Sequence, residues 1–304
     1  MKIFGRAIKA VALATTAILT FAACATGSAG AADDSVLGAS ADNPIRIGVV
    51  NAEEPYRAVF AEAAREDGIY IEFVNFSEFP LVNQALAEGD LDMNQFQHLQ
   101  FLANFNVATG ENLTPIGATA VYPLGLYSFR WDSVAEFPEG AEIAIPNDPT
   151  NQARALLVLQ DAGLLTLRDG GNSLSTPFDI IADQSRVSVI PVEAAMTAVS
   201  LSDVDGSIVN NSMIAQIGMS LADAIFADDP DSPAAEPYIN VFVARAADAE
   251  NPKFIRLVEL FHTAPGVIDG LIESSAGTAA VRNNSAADLQ RILSEIEANL
   301  ASNR

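Results

Sequence analysis

Glu142-Ile143-Ala144-Ile145-Pro146-Asn147-Asp148-Pro149-Thr150-Asn151-Gln152-Ala153-Arg154 is the stretch on which the fold turns. Its first five residues read as a short, mostly apolar strand. Asn147 to Asn151 is turn and N-cap chemistry, because Asn, Asp and Thr side chains satisfy the free N–H groups of a helix start. Gln152 to Ala162 then has helical spacing, and Gly163 ends it. A strand that turns directly into a helix is one unit of an α/β fold with a largely parallel sheet.

The same unit recurs on both sides. Toward the N-terminus, Ile45–Val50 reads as a strand, and Tyr56–Glu66 as a helix with Val59, Ala63 and Ala64 inward. A strand at Ile69–Val74, a helix at Leu81–Ala87 and a strand at Leu91–Phe96 follow. Further strands are expected at Pro115–Val121 and Leu124–Phe129. Toward the C-terminus the pattern gives strands at Val187–Val192 and Ser207–Val209, with helices at Ala194–Leu201 and Ser212–Ile217. Asp228–Pro237 is an acidic, proline-bearing loop, Tyr238–Arg245 a strand, and the remainder helical. With 304 residues, two α/β lobes that the chain enters more than once fit the length.

Half of the residues are hydrophobic and 18% charged, which places the chain among globular proteins. Sixteen Lys and Arg face 39 Asp and Glu, for a net charge of −23. Such a surface repels phosphate backbones, so nucleic acid is not an expected partner. The first residues are different. Lys2, Arg6 and Lys9 precede the mostly apolar run Ala10–Ala23, too short to span a bilayer and typical of a secretory signal. Cys24, the only cysteine, follows two alanines, as in a lipobox where the thiol is diacylated and the chain cut before it. An ordinary cleavage site beside an incidental cysteine is the alternative, and Phe21, where leucine is usual, keeps it open. On this reading residues 1–23 are a signal peptide and 24–43 a flexible, lipid-anchored tether. Removing three cations and no acid leaves 13 cations against 39 acids, or −26.

Enzyme signatures are thin. No nucleophile elbow, P-loop, dinucleotide fingerprint or zinc-protease motif occurs. Two histidines far apart and one cysteine leave no expected metal site. Asp90-Leu91-Asp92-Met93-Asn94 starts like a calcium loop, but Gln95 and Phe101 stand where glycine and glutamate are required. No catalytic residue and no cofactor is expected. Binding features are stronger. Arg154, one turn into its helix, can offer a two-pronged donor to a carboxylate or pair with a neighbouring acid. Asn94-Gln95-Phe96-Gln97-His98, Tyr122 and Asn210-Asn211 fall at strand ends, where α/β sheets bind ligands.

In these residues the chain closely resembles the NlpA family of lipoproteins, the methionine-binding components of ABC importers. The resemblance runs in order through Phe96-Gln97-His98, Val121-Tyr122-Pro123, the Pro146–Asn151 segment with Arg154, Leu164-Leu165-Thr166-Leu167, Asn210, Gln216-Ile217-Gly218 and Pro237-Tyr238-Ile239-Asn240. It implies a two-lobed periplasmic-binding-protein fold of type II character, each lobe a mostly parallel sheet flanked by helices, with a hinge between them. Lobe I would hold 44–123 plus 232–304, and lobe II 124–231.

The resemblance also implies roles. Arg154 would take the ligand carboxylate, Asn210 and Asn240 the amino-acid head group, and Phe79, Phe96, His98 and Tyr122 the side chain. Phe79 and Phe101 replace tyrosines usual in the family. The implied protein sits on the extracytoplasmic face of the cell membrane and delivers a free amino acid, methionine favoured, to an ABC permease and indirectly its ATPase. Other readings are the same role for another amino acid or a short peptide, or a structural or adhesive lipoprotein with a vestigial cleft. Replacing Cys24 by alanine is expected to move the protein from the membrane to the soluble fraction on fractionation; continued membrane attachment would exclude Cys24 as the anchor.

Overall fold

The computed structural model describes residues 36–303. The leader, Cys24 and the start of the tether lie outside them. The described end of the tether is already docked: Lys253 Nζ donates to Leu37 O at 2.5 Å, and Tyr70 N to Gly38 O at 3.1 Å.

The chain first runs through β1 (Ile45–Val49), α1 (Pro55–Glu66), β2 (Ile71–Asn75), α2 (Phe79–Glu88), β3 (Met93–His98), α3 (Leu99–Thr109), β4 (Thr114–Ala118) and β5 (Ala120–Val121). It continues through β6 (Gly125–Tyr127), β7 (Ala141–Pro146), α4 (Pro149–Asp161), β8 (Val187–Val192), α5 (Ala194–Thr197), β9 (Gly206–Val209), α6 (Asn211–Ile214) and β10 (Phe226–Ala227). β11 (Asn240–Ala244), α7 (Pro252–Thr263), α8 (Val267–Ser274), β12 (Ala280–Val281) and α9 (Ala286–Ser302) complete it.

Two five-stranded sheets result, ordered β2-β1-β3-β11-β4 and β8-β7-β9-β6-β10. They are the same design. In each, the central ladders are parallel, and one strand, β11 or β6, pairs antiparallel with both neighbours. That reversed strand is the first one the chain forms after crossing from the other sheet. Four of the five strands in each sheet therefore run the same way, which is the two-lobed α/β architecture the sequence implies. A two-strand ladder, β5 with β12, lies outside both sheets.

Local differences have local causes. The strand expected over Pro115–Val121 divides after Ala118: Thr119 N donates to Asn240 O at 2.8 Å, and the chain then turns from β11 to pair with β12. The helix expected over Ala194–Leu201 tightens to a 3₁₀ turn after Thr197, whose carbonyl is taken by Ser207 Oγ at 2.8 Å. Val59 is not inward. The buried stripe of α1 is Tyr56, Phe60 and Ala64, spaced four apart, together with Arg57, and Val59 is 40% exposed. The C-terminal run is interrupted by β12 and is not wholly helical.

The first sheet is packed on both faces. On one, Phe60 meets Phe73, Phe242 and Phe261 at centroid distances of 6.2, 6.2 and 5.7 Å. The other is built from α2, α3 and α9, with Leu102, Val243 and Leu289 fully buried. A further apolar cluster joins the lobes, Val50 and Phe79 from the first lobe meeting Met213, Ile214 and Leu201 of the second. Gly117 lets α7 lie directly on β4, since a Cβ there would sit 2.3 Å from Val258 Cγ1. Gly117→Ala is expected to destabilise the protein by about 1–3 kcal/mol in a denaturant titration, the usual cost of overpacking.

Candidate functional site

One cavity is lined by strand ends of the first sheet and by α4 and the start of α6, which follow strands of the second, and all seven residues singled out from the sequence border it: Phe79, Phe96, His98, Tyr122, Arg154, Asn210 and Asn240. Sequence reasoning missed Arg57 and Glu54, which border it too, and gave Gln95 and Asn151, which it named, no part in holding a ligand. The cavity thus has two buried guanidinium groups, Arg57 and Arg154.

Arg154 takes the second of the two courses left open for it and pairs with a neighbouring acid. It is 4% exposed and ion-paired: Nε donates to Asp228 Oδ2 at 2.7 Å and Nη2 to Oδ1 at 3.2 Å. Nη2 also donates to Tyr122 O at 2.9 Å, and the guanidinium lies 4.2 Å from the Tyr238 ring centroid. Asp228 Oδ1 accepts Leu124 N–H at 2.8 Å as well. Arg154 and Asp228 therefore fasten the first segment that crosses between the sheets, Tyr122 to Leu124. Nη1 makes no hydrogen bond to the described residues.

The start of α4 sets the rest of the polar site. Asp148 is its N-cap, and Oδ1 accepts Asn151 N–H at 3.0 Å. The same carboxylate accepts Asn151 Nδ2 at 3.1 Å from each oxygen. A carboxylate only accepts, so Asn151 must turn its amide oxygen the other way. That oxygen receives Asn210 Nδ2 at 3.0 Å and lies 3.3 Å from His98 Nε2. Asn210 in turn is left with Oδ1 buried and without a partner. An orphaned buried acceptor costs about 1–3 kcal/mol, so the site stores a demand for a donor there.

His98 ends β3 and caps α3, its Nδ1 accepting Phe101 N–H at 3.1 Å. Nε2 then carries the proton and donates across to Asn151. Burial, reinforced by the charge of Arg154, pushes the His98 imidazole down to about 3, so the ring is neutral. Asn240, at the start of β11, holds Tyr238 O through Nδ2 at 3.3 Å. Phe79, Phe96 and Phe101 form an apolar wall with centroids 5.8–6.2 Å apart. Burial raises the Tyr122 phenol well above its ordinary range.

Arg57 adds a polar part to the cavity lining. Nη1 donates to Gln95 Oε1 at 2.7 Å, Nε to Asn51 O at 3.1 Å, and Nη2 stands 3.3 Å from Glu54 Oε2. Burial raises the Glu54 carboxyl against the opposing pull of Arg57. Among the described residues no group of three or more His, Cys, Asp or Glu could hold a metal ion, and no helix is long and apolar enough to cross a membrane.

Comparison with known proteins places this arrangement. Residues 45–281 match the family described as NlpA lipoprotein. The probable D-methionine-binding lipoprotein MetQ of Haemophilus influenzae is 36% identical over 229 residues, spanning 74% of this chain and 82% of that protein. Protein PG110 of Staphylococcus aureus superposes with a TM-score of 0.79 at 33% identity, covering 83% of this chain and 99% of that one. A nutrient-binding protein from Burkholderia cenocepacia, solved bound to methionine, gives a TM-score of 0.72 at 29% identity over 78% of this chain and 99% of its own. The chain belongs to the NlpA lipoprotein family, whose members are solute-binding proteins and not enzymes.

Proposed function

We propose that this chain is the extracytoplasmic binding component of an ABC importer, anchored through Cys24, and that it captures a free amino acid between its lobes. The observation that carries the reading is the unpartnered Oδ1 of Asn210, buried on the same cavity as Arg154. A zwitterion leaving water must recover hydrogen bonds at both charges. Arg154 Nη1 takes the carboxylate, and the amide oxygens of Asn210 and Asn240 take the ammonium. Phe79, Phe96, His98 and Tyr122 surround the side chain. Methionine is the ligand favoured, because relatives carry that name and a thioether gains from aromatic edges. The liganded, closed form is what a permease reads, while a cytoplasmic ATPase partner supplies the energy. Lobe I corresponds to 44–123 plus 232–304 and lobe II to 124–231. A second reading, an amino acid with a polar side-chain end, draws on Arg57 and Gln95 in the cavity wall.

Mass spectrometry of ligand released from denatured, freshly purified protein is expected to return an amino acid, and calorimetry to give binding of methionine. Arg154→Ala is expected to weaken binding by about 1.5–3 kcal/mol, and Asn210→Ala by about 1 kcal/mol. Unchanged affinity in both variants would remove the head-group assignment.

The neutral His98 gives a pH signature. A base held near 3 when folded and near 6.5 when unfolded contributes stability that is complete above pH 6.5 and lost as pH falls toward 3. The slope from this one proton is at most about 1.4 kcal/mol per pH unit. Urea titrations at pH 7, 5 and 4 are expected to show that loss in the wild type and less of it in His98→Gln, while affinity holds between pH 8 and 5.

A further inference from the structure

Asn51 follows β1 and lies outside the lining of the ligand cavity. Its backbone has φ +59°, the left-handed region, although it is not glycine. It is 7% exposed, and its carbonyl and both side-chain polar atoms are engaged. Its carbonyl accepts Glu54 N–H at 3.3 Å and Arg57 Nε–H at 3.1 Å, which fixes the turn from its own lobe. Its side chain is used by the other lobe. Nδ2 donates to Ser212 O at 2.6 Å, and Oδ1 accepts Gln216 Nε2 at 3.3 Å.

Both bonds end on α6 and the turn after it, whose N-cap is Asn210. The helical turn held by Asn51 is therefore the one whose N-cap residue lines the cavity and carries the orphaned acceptor. Ser212 O only accepts, so Asn51 must present nitrogen to it and oxygen to Gln216. Few residue types fit. Asparagine tolerates left-handed backbone and has one donor and one acceptor on a short stem. Aspartate would set a carboxylate oxygen against the Ser212 carbonyl, and glycine would reach nothing.

We infer that Asn51 is a positioning residue for ligand capture: a clamp from the first lobe that closes on α6 and holds the liganded cleft shut. The inference rests on the amino-acid-binding reading above. Opening the cleft breaks both bonds, so their loss shortens the life of the closed complex without touching the ligand.

Asn51→Gly removes both bonds and relaxes the positive φ, so the fold is not harmed; Asn51→Asp keeps the shape and turns one contact repulsive. L-methionine dissociation measured by stopped flow is expected to accelerate about tenfold in Asn51→Gly, more in Asn51→Asp, and less in Gln216→Leu, which loses one bond. The melting temperature of Asn51→Gly without ligand is expected to stay at or above that of the wild type. Small-angle scattering of the ligand-free protein is expected to give a larger radius of gyration for Asn51→Gly. A wild-type dissociation rate in Asn51→Gly, with an unchanged radius, would overturn the clamp. If the wild type binds no L-methionine, that ligand assignment fails, and the ligand-free radii alone decide: an expanded Asn51→Gly supports the clamp, coincident radii reject it.

Discussion

A carboxylate has no proton to give, and at Asp148 that limit orders the polar site. Because Asp148 accepts the side-chain nitrogen of Asn151, the amide of Asn151 can face only one way. Asn210 and the neutral ring of His98 must then both approach it as donors. Three elements, the end of β3 and the starts of α4 and α6, are oriented by one residue that does not line the cavity. Asn151 and Asn210 follow strands of the second sheet and His98 ends a strand of the first, so the chain of bonds ties the two sheets together.

Arg154 is subject to a similar economy. A guanidinium at 4% exposure is stable only with its charge met, and Asp228 meets it with two bonds. The pairing does not use up the fork. It fixes the plane of the group, adds the carbonyl of Tyr122, and leaves one nitrogen directed by its neighbours. Asp228 is what holds the arginine still.

The α/β rhythm was legible because its signals are local: apolar runs of strand length, Asn-Asp-Pro turns, and glycines at helix ends. The Pro146–Asn151 segment declared its N-cap for the same reason, and the cavity residues at strand ends could be named from strand position and family resemblance together. What could not be read joins distant residues. Asp228 lies 74 positions from Arg154 in what reads as an acidic loop, and nothing local separates it from Asp229 or Asp231. Arg57 looks like an exposed helix cation until the stripe of α1 is known to run through Tyr56 and Phe60. Glycine is the usual sequence sign of a left-handed turn, so Asn51 gave no notice of its backbone.

The reversed strands have a consequence for the order in which the molecule can form. All strands of the second sheet lie between Gly125 and Ala227, so that sheet is complete once this stretch has been synthesised. The first sheet is not. β11 belongs between β3 and β4, and it comes from residues 240–244. Until it arrives, β3 and β4 each present an unpaired edge, and α9, which packs against α3, is also missing. A chain made from its N-terminus therefore finishes its middle lobe first and keeps its first lobe open at a sheet edge, the condition in which a chaperone or a stray strand would find it.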